Sequence, residues 1–170
     1  MGVLIVLEVS KKQYYIFKSN RLRENIGASE VIRYVTEELS EDYCKKNNGK
    51  IINAGGGKTV FYFNSDSDSK NFSKNLSLEL LKKYPSLEFF ISCIEYDPDK
   101  DPVIEKIDEL FKKLEYKKAK REPYSYIIDF GIAQECDTTR LPAVWSQYDG
   151  DEGRTIYYSG EAKSKIDMFI

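Results

Sequence analysis

The sequence predicts an α+β fold, because short apolar runs alternate with helical patterns along most of the chain. Residues 3–9 are apolar almost throughout, which is typical of a central strand covered on both faces. Apolar residues recur every three or four positions at 26–43, 72–84 and 104–114, which predicts three amphipathic helices. Up to Tyr96 the resulting order is β-α-β-β-α-β, the order of a ferredoxin-like sheet.

Turn and cap residues mark the ends of these elements. The first long helix ends at Asn48-Gly49, and Pro102 suits the first turn of the third helix. Residues 65–70 are rich in capping side chains and begin the second helix, and a short helix or turn is expected at 10–18. The apolar runs predict strands near residues 3–9, 50–54, 59–64, 87–96 and 124–133.

The length of 170 residues fits one domain, or one domain with an appendage. The third helix and the last strand form a helix-strand extension of the ferredoxin-like order. After Ala133 the sequence contains turns and little periodicity. We therefore predict a ferredoxin-like domain at residues 1–133 and an irregular appendage at residues 134–170.

Composition and charge limit the partners that the chain can bind. It is 41% hydrophobic and 32% charged, as in a soluble globular protein. Its net charge of -2 argues against a general attraction to nucleic acid, so any such contact requires a local basic patch. No apolar run is long enough to cross a bilayer, and the first ten residues lack the basic flank of a signal peptide. We expect a cytoplasmic protein with no membrane partner.

The cysteines and the missing histidines exclude several kinds of chemistry. Cys44, Cys93 and Cys136 lie far apart in the sequence, and the chain contains no histidine. We expect the cysteines to be reduced and mostly buried, with no zinc site and no histidine-dependent mechanism. Carboxylates, lysines, arginines, hydroxyls and backbone amides remain as functional groups.

Three consecutive glycines, Gly55–Gly57, separate the two strands of the central hairpin and are followed by Lys58. In a β-α-β-β-α-β sheet the first strand lies beside this hairpin, so Glu8 near the end of that strand should face the turn. Palm domains of polymerases and nucleotide cyclases have this arrangement. Their acids on the first strand and on the hairpin hold two divalent ions for phosphoryl transfer.

The segment "LEVSKKQYYIFKSNRLRENIGASEVI" resembles the opening of a palm domain in the large subunit of type III CRISPR effector complexes. In that family the first strand runs into Asp-x-Ser-Gly-Ile-Gln, followed by an aromatic-rich turn, a basic pair and Gly-x-Ser. The residues at these positions here are Glu8, Ser10, Gln13, Ile16, Phe17, Arg21, Gly27 and Ser29. The resemblance covers residues 3–97 and, more loosely, 124–166. Its last part, "RLPAV" followed by "EAKSKI", resembles the remnant of a ribbon-like segment that carries zinc in many members.

The chain departs from the family pattern at the acids. Glu8 replaces the aspartate, Lys11 and Lys12 replace Gly-Ile, and Gly57 and Lys58 stand where the catalytic palm has two hairpin carboxylates. Two metal ions need several anionic oxygens, which one glutamate does not supply. We therefore expect no metal site, and we predict an ion pair between Glu8 and Lys58 in the place of the metal.

The resemblance also implies a function. In this family the large subunit carries two palms face to face, and the palm without acids cradles the second nucleotide on its glycine turn. By resemblance this chain is the acid-free, non-catalytic palm of an antiviral defence protein, with ATP as its nucleotide and Mg²⁺ only if a partner supplies ligands. The implied partners are a second palm or other effector-complex subunits, and RNA is a further candidate. The implied nucleotide-binding residues are Glu8, Ser10, Gln13, Gly55, Gly56, Gly57 and Lys58, and the implied phosphate or nucleic-acid contacts are Arg21, Arg23 and Ser29.

Simpler interpretations stay open at each of these positions. The glycines could form a turn with positive φ angles and no ligand. Arg21 and Arg23 could be solvated or paired with nearby glutamates, and the tyrosines near residue 14 could belong to the core. The basic cluster at residues 112–121 is expected to be a solvated helix face.

Two other functions also fit the sequence. One is a metal-dependent nucleotidyltransferase or cyclase that a partner palm completes, with Glu8 as the contribution of this chain. The other is a ferredoxin-like module that binds RNA or protein through its arginines or its basic helix.

Overall fold

The apolar strand predicted at residues 3–9 is the centre of a four-stranded antiparallel sheet. This strand, β1 (Gly2–Val9), is buried along its whole length. It pairs with β3 (Lys58–Phe63) on one side and with β4 (Phe89–Tyr96) on the other. β2 (Lys50–Gly55) pairs with β3, so the strand order is β2-β3-β1-β4. The predicted combination of helices with a β-sheet is confirmed, and the sheet is antiparallel.

The computed structural model describes residues 1–121 and 131–169, which form two compact units. Unit 1 contains the sheet and consists of residues 1–11 and 32–121, and unit 2 consists of residues 12–31 and 131–169. The domain boundary predicted between residues 133 and 134 stays a prediction. Among the described helices, none is both long and apolar enough to span a bilayer.

Helices cover both faces of the sheet in unit 1. One face packs against α5 (Val103–Ala119), and the apolar residues shared between them are Leu4, Val6, Val60, Ile94, Leu110 and Leu114. On the other face, Phe72 of α4 (Asp66–Lys83) contacts Phe61 and Phe63, with ring centroids 4.8 and 5.0 Å apart. Val60 packs with α5 while Phe61 and Phe63 pack with α4, so neighbouring residues of β3 face different helices, as the two-residue period of a strand requires.

One long helical segment connects β1 to β2. It consists of α2 (Leu22–Tyr34), a π-helical turn (Val35–Leu39) and α3 (Ser40–Lys46). The sequence pattern placed its start near Ile26, and the structure begins it at Leu22, with Glu24 in the first turn. A carboxylate in that turn interacts favourably with the helix dipole.

Unit 2 contains regular structure where the sequence predicted an irregular appendage. The hairpin formed by β5 (Trp145–Asp149) and β6 (Arg154–Tyr158) precedes α6 (Gly160–Asp167), and α1 (Lys12–Phe17) belongs to the same unit. The two strands have five residues each, too few to show a clear periodicity. The prediction of irregular structure is therefore wrong for these residues. The predicted strand at 124–133 lies mostly outside the described residues, and the described part, 131–133, is not in a strand.

The two edges of the described sheet differ. On β4, the backbone carbonyls of Ile91 and Cys93 accept hydrogen bonds from Lys117 Nζ and Lys113 Nζ of α5, each at 2.8 Å. β2, at the opposite edge, is exposed along its length and has a register shift between Ile51 and Asn53. Lysines and bulges both discourage pairing with another chain at a strand edge.

Candidate functional site

The glycine turn is a two-residue hairpin connection between β2 and β3. Gly55 pairs with Lys58, and the two residues between them, Gly56 and Gly57, have φ angles of 61° and 78°. A connection with positive φ at both positions is a type I′ turn, which strongly favours glycine. Gly55 itself has a φ of 152°. The backbone conformation of the hairpin thus accounts for the three consecutive glycines.

The turn lies at the end of β1, as the sequence predicted. The backbone N–H of Val9 donates to the carbonyl oxygen of Gly57 at 3.0 Å. Apart from its own neighbours in the chain, no described residue has an atom within 4 Å of a Cβ added at Gly55, so this side of the turn is open. Thr59 fixes the start of β3, because its hydroxyl donates to the carbonyl oxygen of Thr36 in the π-helical turn.

Glu8 forms the predicted ion pair with Lys58. The two residues are register partners on β1 and β3, and Lys58 Nζ lies 3.2 Å from Glu8 Oε2. The side chain of Glu8 is 8% exposed and that of Lys58 is 42% exposed. Among the described residues, Oε2 has no partner in hydrogen-bond geometry, so the contact with Lys58 is electrostatic.

A second lysine binds the other oxygen of the same carboxylate. Lys118 Nζ, from α5, donates to Glu8 Oε1 at 2.7 Å and to Glu115 Oε1 at 2.8 Å, and its side chain is 17% exposed. The prediction that the basic cluster at residues 112–121 is a solvated helix face is wrong for Lys118. The spacing of residues in the sequence indicates that Lys118 faces the sheet, because it continues the four-residue spacing of Leu110 and Leu114, which are fully buried.

The electrostatics agree with this arrangement. Burial lowers the pKa of Lys118, but its hydrogen bonds to Glu115 and Glu8 outweigh that effect and leave the pKa above its ordinary value. The hydrogen bond from Lys118 lowers the pKa of Glu115, and the nearby positive charge of Lys58 contributes in the same direction. Both effects stabilise the charged forms of the groups around Glu8.

The residues at this site do not fit the two metal ions of a catalytic palm. Glu8 and Glu115 both contact the ammonium of Lys118. In the part of the chain that the structure describes, no group of three or more potential metal-ligating side chains comes together. A divalent ion at this position would need further oxygen ligands and would have to displace a lysine.

The other predicted site residues are distributed over the two units. Ser10 lies at the end of β1, where its backbone N–H donates to the carbonyl oxygen of Glu88 at 2.8 Å. Gln13 is exposed on α1 of unit 2. Ser29, also in unit 2, donates its hydroxyl hydrogen to the carbonyl oxygen of Asn25. The ligand roles of these residues stay predictions.

Arg21 and Arg23 line a cavity of about 460 Å³ in unit 2, together with the turn between β5 and β6. Arg21 pairs with Glu152 at 2.9 Å, and the guanidinium of Arg23 lies 5.1 Å from the ring centroid of Phe169. The acidic side chains that line the same cavity are Glu24, Asp149, Asp151 and Glu152. Because acids outnumber arginines there, the charge of the cavity does not favour phosphate.

Comparisons with known proteins identify fold relatives. No protein-family model matches the chain, and no curated protein matches its sequence. A Csm1–Csm4 cassette in complex with cA3 is similar in structure, with a TM-score of 0.59, 16% identity and 71% of this chain covered. The apo Csm1–Csm4 cassette and Csm1 in T. onnurineus both have TM-scores of 0.56, at 17% and 16% identity and with 71% and 72% of this chain covered.

Csm1 is the large subunit of type III CRISPR complexes, so these neighbours belong to the family that the opening motif resembles. At this level of identity the likeness shows a shared fold. The chain spans about a fifth of the length of the matched structures, with 19% of the first two and 20% of the third covered.

Proposed function

We propose that this chain is a non-catalytic, ferredoxin-like palm module of a CRISPR-associated protein, and that it binds the phosphates of a nucleotide without a metal ion. The observation that carries the proposal is the neutralisation of Glu8 by Lys58 and Lys118 beside the glycine turn. The strand order β2-β3-β1-β4 supports the palm assignment. The likeness to Csm1 structures and the opening motif support the CRISPR-associated role.

The charges at this end of the sheet favour an anionic ligand. Glu88 pairs with Lys11 at 3.1 Å and with Arg121 at 2.5 Å, next to the end of β1. With the groups around Glu8, the cations are Lys11, Lys58, Lys118 and Arg121, and the anions are Glu8, Glu88 and Glu115. Among these described groups the cations exceed the anions by one charge, which would attract a polyphosphate.

Lys58 is the residue best placed to contact a phosphate. Its ammonium has three hydrogens, its side chain is partly exposed, and its contact with Glu8 lacks hydrogen-bond geometry. The open side of Gly55 would let a phosphate approach the backbone of the turn. Phe111, whose ring centroid lies 5.4 Å from Lys58 Nζ, limits the directions that the ammonium can take.

Titration of ATP into the purified chain by calorimetry tests this function. We expect binding that is the same with EDTA as with Mg²⁺ or Mn²⁺, and that Lys58→Ala weakens by about tenfold, or ~1.4 kcal/mol. Lys50→Ala is the matched control, since Lys50 is an exposed lysine at the other end of the same hairpin. Absence of binding at millimolar ATP, or equal losses in both variants, would leave a scaffolding role instead.

We also propose that the partners are a second palm domain or other subunits of an effector complex. Two of the structural neighbours are cassettes of Csm1 with Csm4, which makes a multi-subunit assembly a reasonable expectation. The alternative of an active nucleotidyltransferase is less favoured, because the contacts of Glu8 with Lys58 and Lys118 would have to break before Glu8 could bind a metal ion.

A further inference from the structure

We infer that Lys118 is a tethered cation, by which we mean that its ammonium takes the place of a bound cation. It lies between the carboxylates of Glu8 and Glu115 and contacts both of them. The inference concerns the same end of the sheet as the proposed nucleotide site. It does not rest on nucleotide binding, and its test uses no nucleotide.

The distances distinguish Lys118 from an ordinary surface lysine. Its Nζ lies 2.7 Å from Glu8 Oε1 and 2.8 Å from Glu115 Oε1, so two carboxylates contact one ammonium at the same short distance. The contact with Glu115 alone would be a common pair between neighbouring turns of a helix. Glu8 is different, because it is almost fully buried and comes from the central strand.

Glu8 needs a counter-ion at this position. A buried carboxylate without one carries a large desolvation cost. Lys58 meets only part of this need, since it is more exposed than Lys118 and contacts Oε2 without hydrogen-bond geometry. Lys118 is held in place because Leu110 and Leu114 fix its helix against the sheet.

Replacement of Lys118 by a neutral side chain would leave the carboxylates of Glu8 and Glu115 facing each other, with Lys58 as the remaining cation beside Glu8. Lys118→Met keeps the length and apolar character of the side chain and removes the ammonium. Carboxylate oxygens are preferred ligands of Mn²⁺, and water could complete its coordination. We therefore expect the variant to acquire a binding site for a divalent ion at the position that the ammonium of Lys118 occupies in the natural chain.

The test is a titration of Mn²⁺ into metal-free protein, with free Mn²⁺ measured by electron paramagnetic resonance. We expect Lys118→Met to bind one Mn²⁺ at least tenfold more tightly than the natural chain, and Glu8→Gln in the same variant to abolish the gain. Lys117→Met is the matched control, because Lys117 is the adjacent lysine and donates to the carbonyl oxygen of Ile91. It should bind Mn²⁺ as weakly as the natural chain.

Folded Lys118→Met that binds Mn²⁺ no better than Lys117→Met would overturn the inference. If Lys118→Met does not fold, the combination with Glu8→Gln should fold, because it removes the buried carboxylate that lost its hydrogen bond from Lys118. A double variant that also fails to fold would likewise overturn the inference. The Mn²⁺ and ATP titrations test the two proposals separately. If ATP does not bind, the inference about Lys118 still stands, and if Lys118→Met does not bind Mn²⁺ more tightly, the nucleotide proposal still stands.

Discussion

Two buried glutamates, one in each unit, are each bridged by two lysines. In unit 1, Glu8 contacts Lys118 and Lys58 at 2.7 and 3.2 Å. In unit 2, Glu161 contacts Lys18 and Lys165 at 2.7 and 2.8 Å. The charges are the same, yet the surroundings of the two carboxylates differ.

The site around Glu161 is closed, and the site around Glu8 is open. Lys165 has no exposed side-chain area, and its ammonium also donates to the carbonyl oxygen of Tyr15 at 2.8 Å and lies over the ring of that residue. Both oxygens of Glu161 accept hydrogen bonds. At Glu8, one oxygen lacks such a bond among the described residues and its lysine reaches solvent. The comparison separates a closed charge cluster from one that is partly open to solvent, as the proposed ligand site requires.

The largest effect is expected from Glu161→Ala, which leaves the buried ammonium of Lys165 without its carboxylate. We expect a loss of about 3–5 kcal/mol in the free energy of unfolding of unit 2. Urea unfolding followed by the fluorescence of Trp145 measures it, because this is the only tryptophan of the chain and lies in unit 2. Asp167→Ala, which removes an exposed acid from the same helix, is the control and should cost less than 1 kcal/mol. If Glu161→Ala and Asp167→Ala lower the free energy of unfolding by similar amounts, the site around Glu161 is not closed as described.

Lowering the pH should gradually remove the stabilisation of unit 2 that comes from the charged carboxylate of Glu161. Burial raises the pKa of Glu161, but Lys165 and Lys18 outweigh it and hold the pKa below the ordinary value of 4.5. A lowered pKa in the folded state means that this stabilisation is complete above the unfolded value and is lost as the pH falls through the folded value. Unfolding of unit 2 at a series of pH values, again followed by Trp145, should show this loss, and Glu161→Gln should lack that component. An identical pH dependence in the variant would show that another group is responsible.

The smallest effect of the three is expected from Glu8→Gln in unit 1. Lys58 can turn to solvent and Lys118 keeps Glu115, so we expect a loss of about 1–2 kcal/mol in the free energy of unfolding. Hydrogen exchange of the β1 amides followed by mass spectrometry measures this loss within unit 1. A cost as large as that of Glu161→Ala would remove the distinction between the open and the closed site.

Strong local patterns in the sequence predicted the parts of unit 1 that hold its candidate site. The continuous apolar run predicted β1, and the glycines predicted the turn that brings Lys58 opposite Glu8. Lys118 was missed because a charged residue near a helix end is usually solvated. The four-residue spacing from Leu110 and Leu114 was the stronger signal, since it placed Lys118 on the face that packs against the sheet.

The contacts of unit 2 could not be predicted from local patterns. Lys165 and Glu161 look like an exposed helical pair in the sequence, and only the contact with Tyr15, 150 positions earlier, shows that they are buried. Gly27 is part of the opening motif that resembles the CRISPR family. In the structure a Cβ at this position would lie 1.8 Å from the carbonyl oxygen of Lys165, so close backbone packing requires the glycine.

The lysines at the β4 edge of the described part of the sheet have a practical consequence for handling the protein. The amino groups of Lys113 and Lys117 donate hydrogen bonds to the backbone carbonyl oxygens of Cys93 and Ile91, respectively. Amine-reactive dyes, crosslinkers and coupling to activated surfaces acylate such groups, which removes their charge and adds bulk. We expect this chemistry to uncover the strand edge and to promote association between molecules, so a terminal tag is the safer point of attachment.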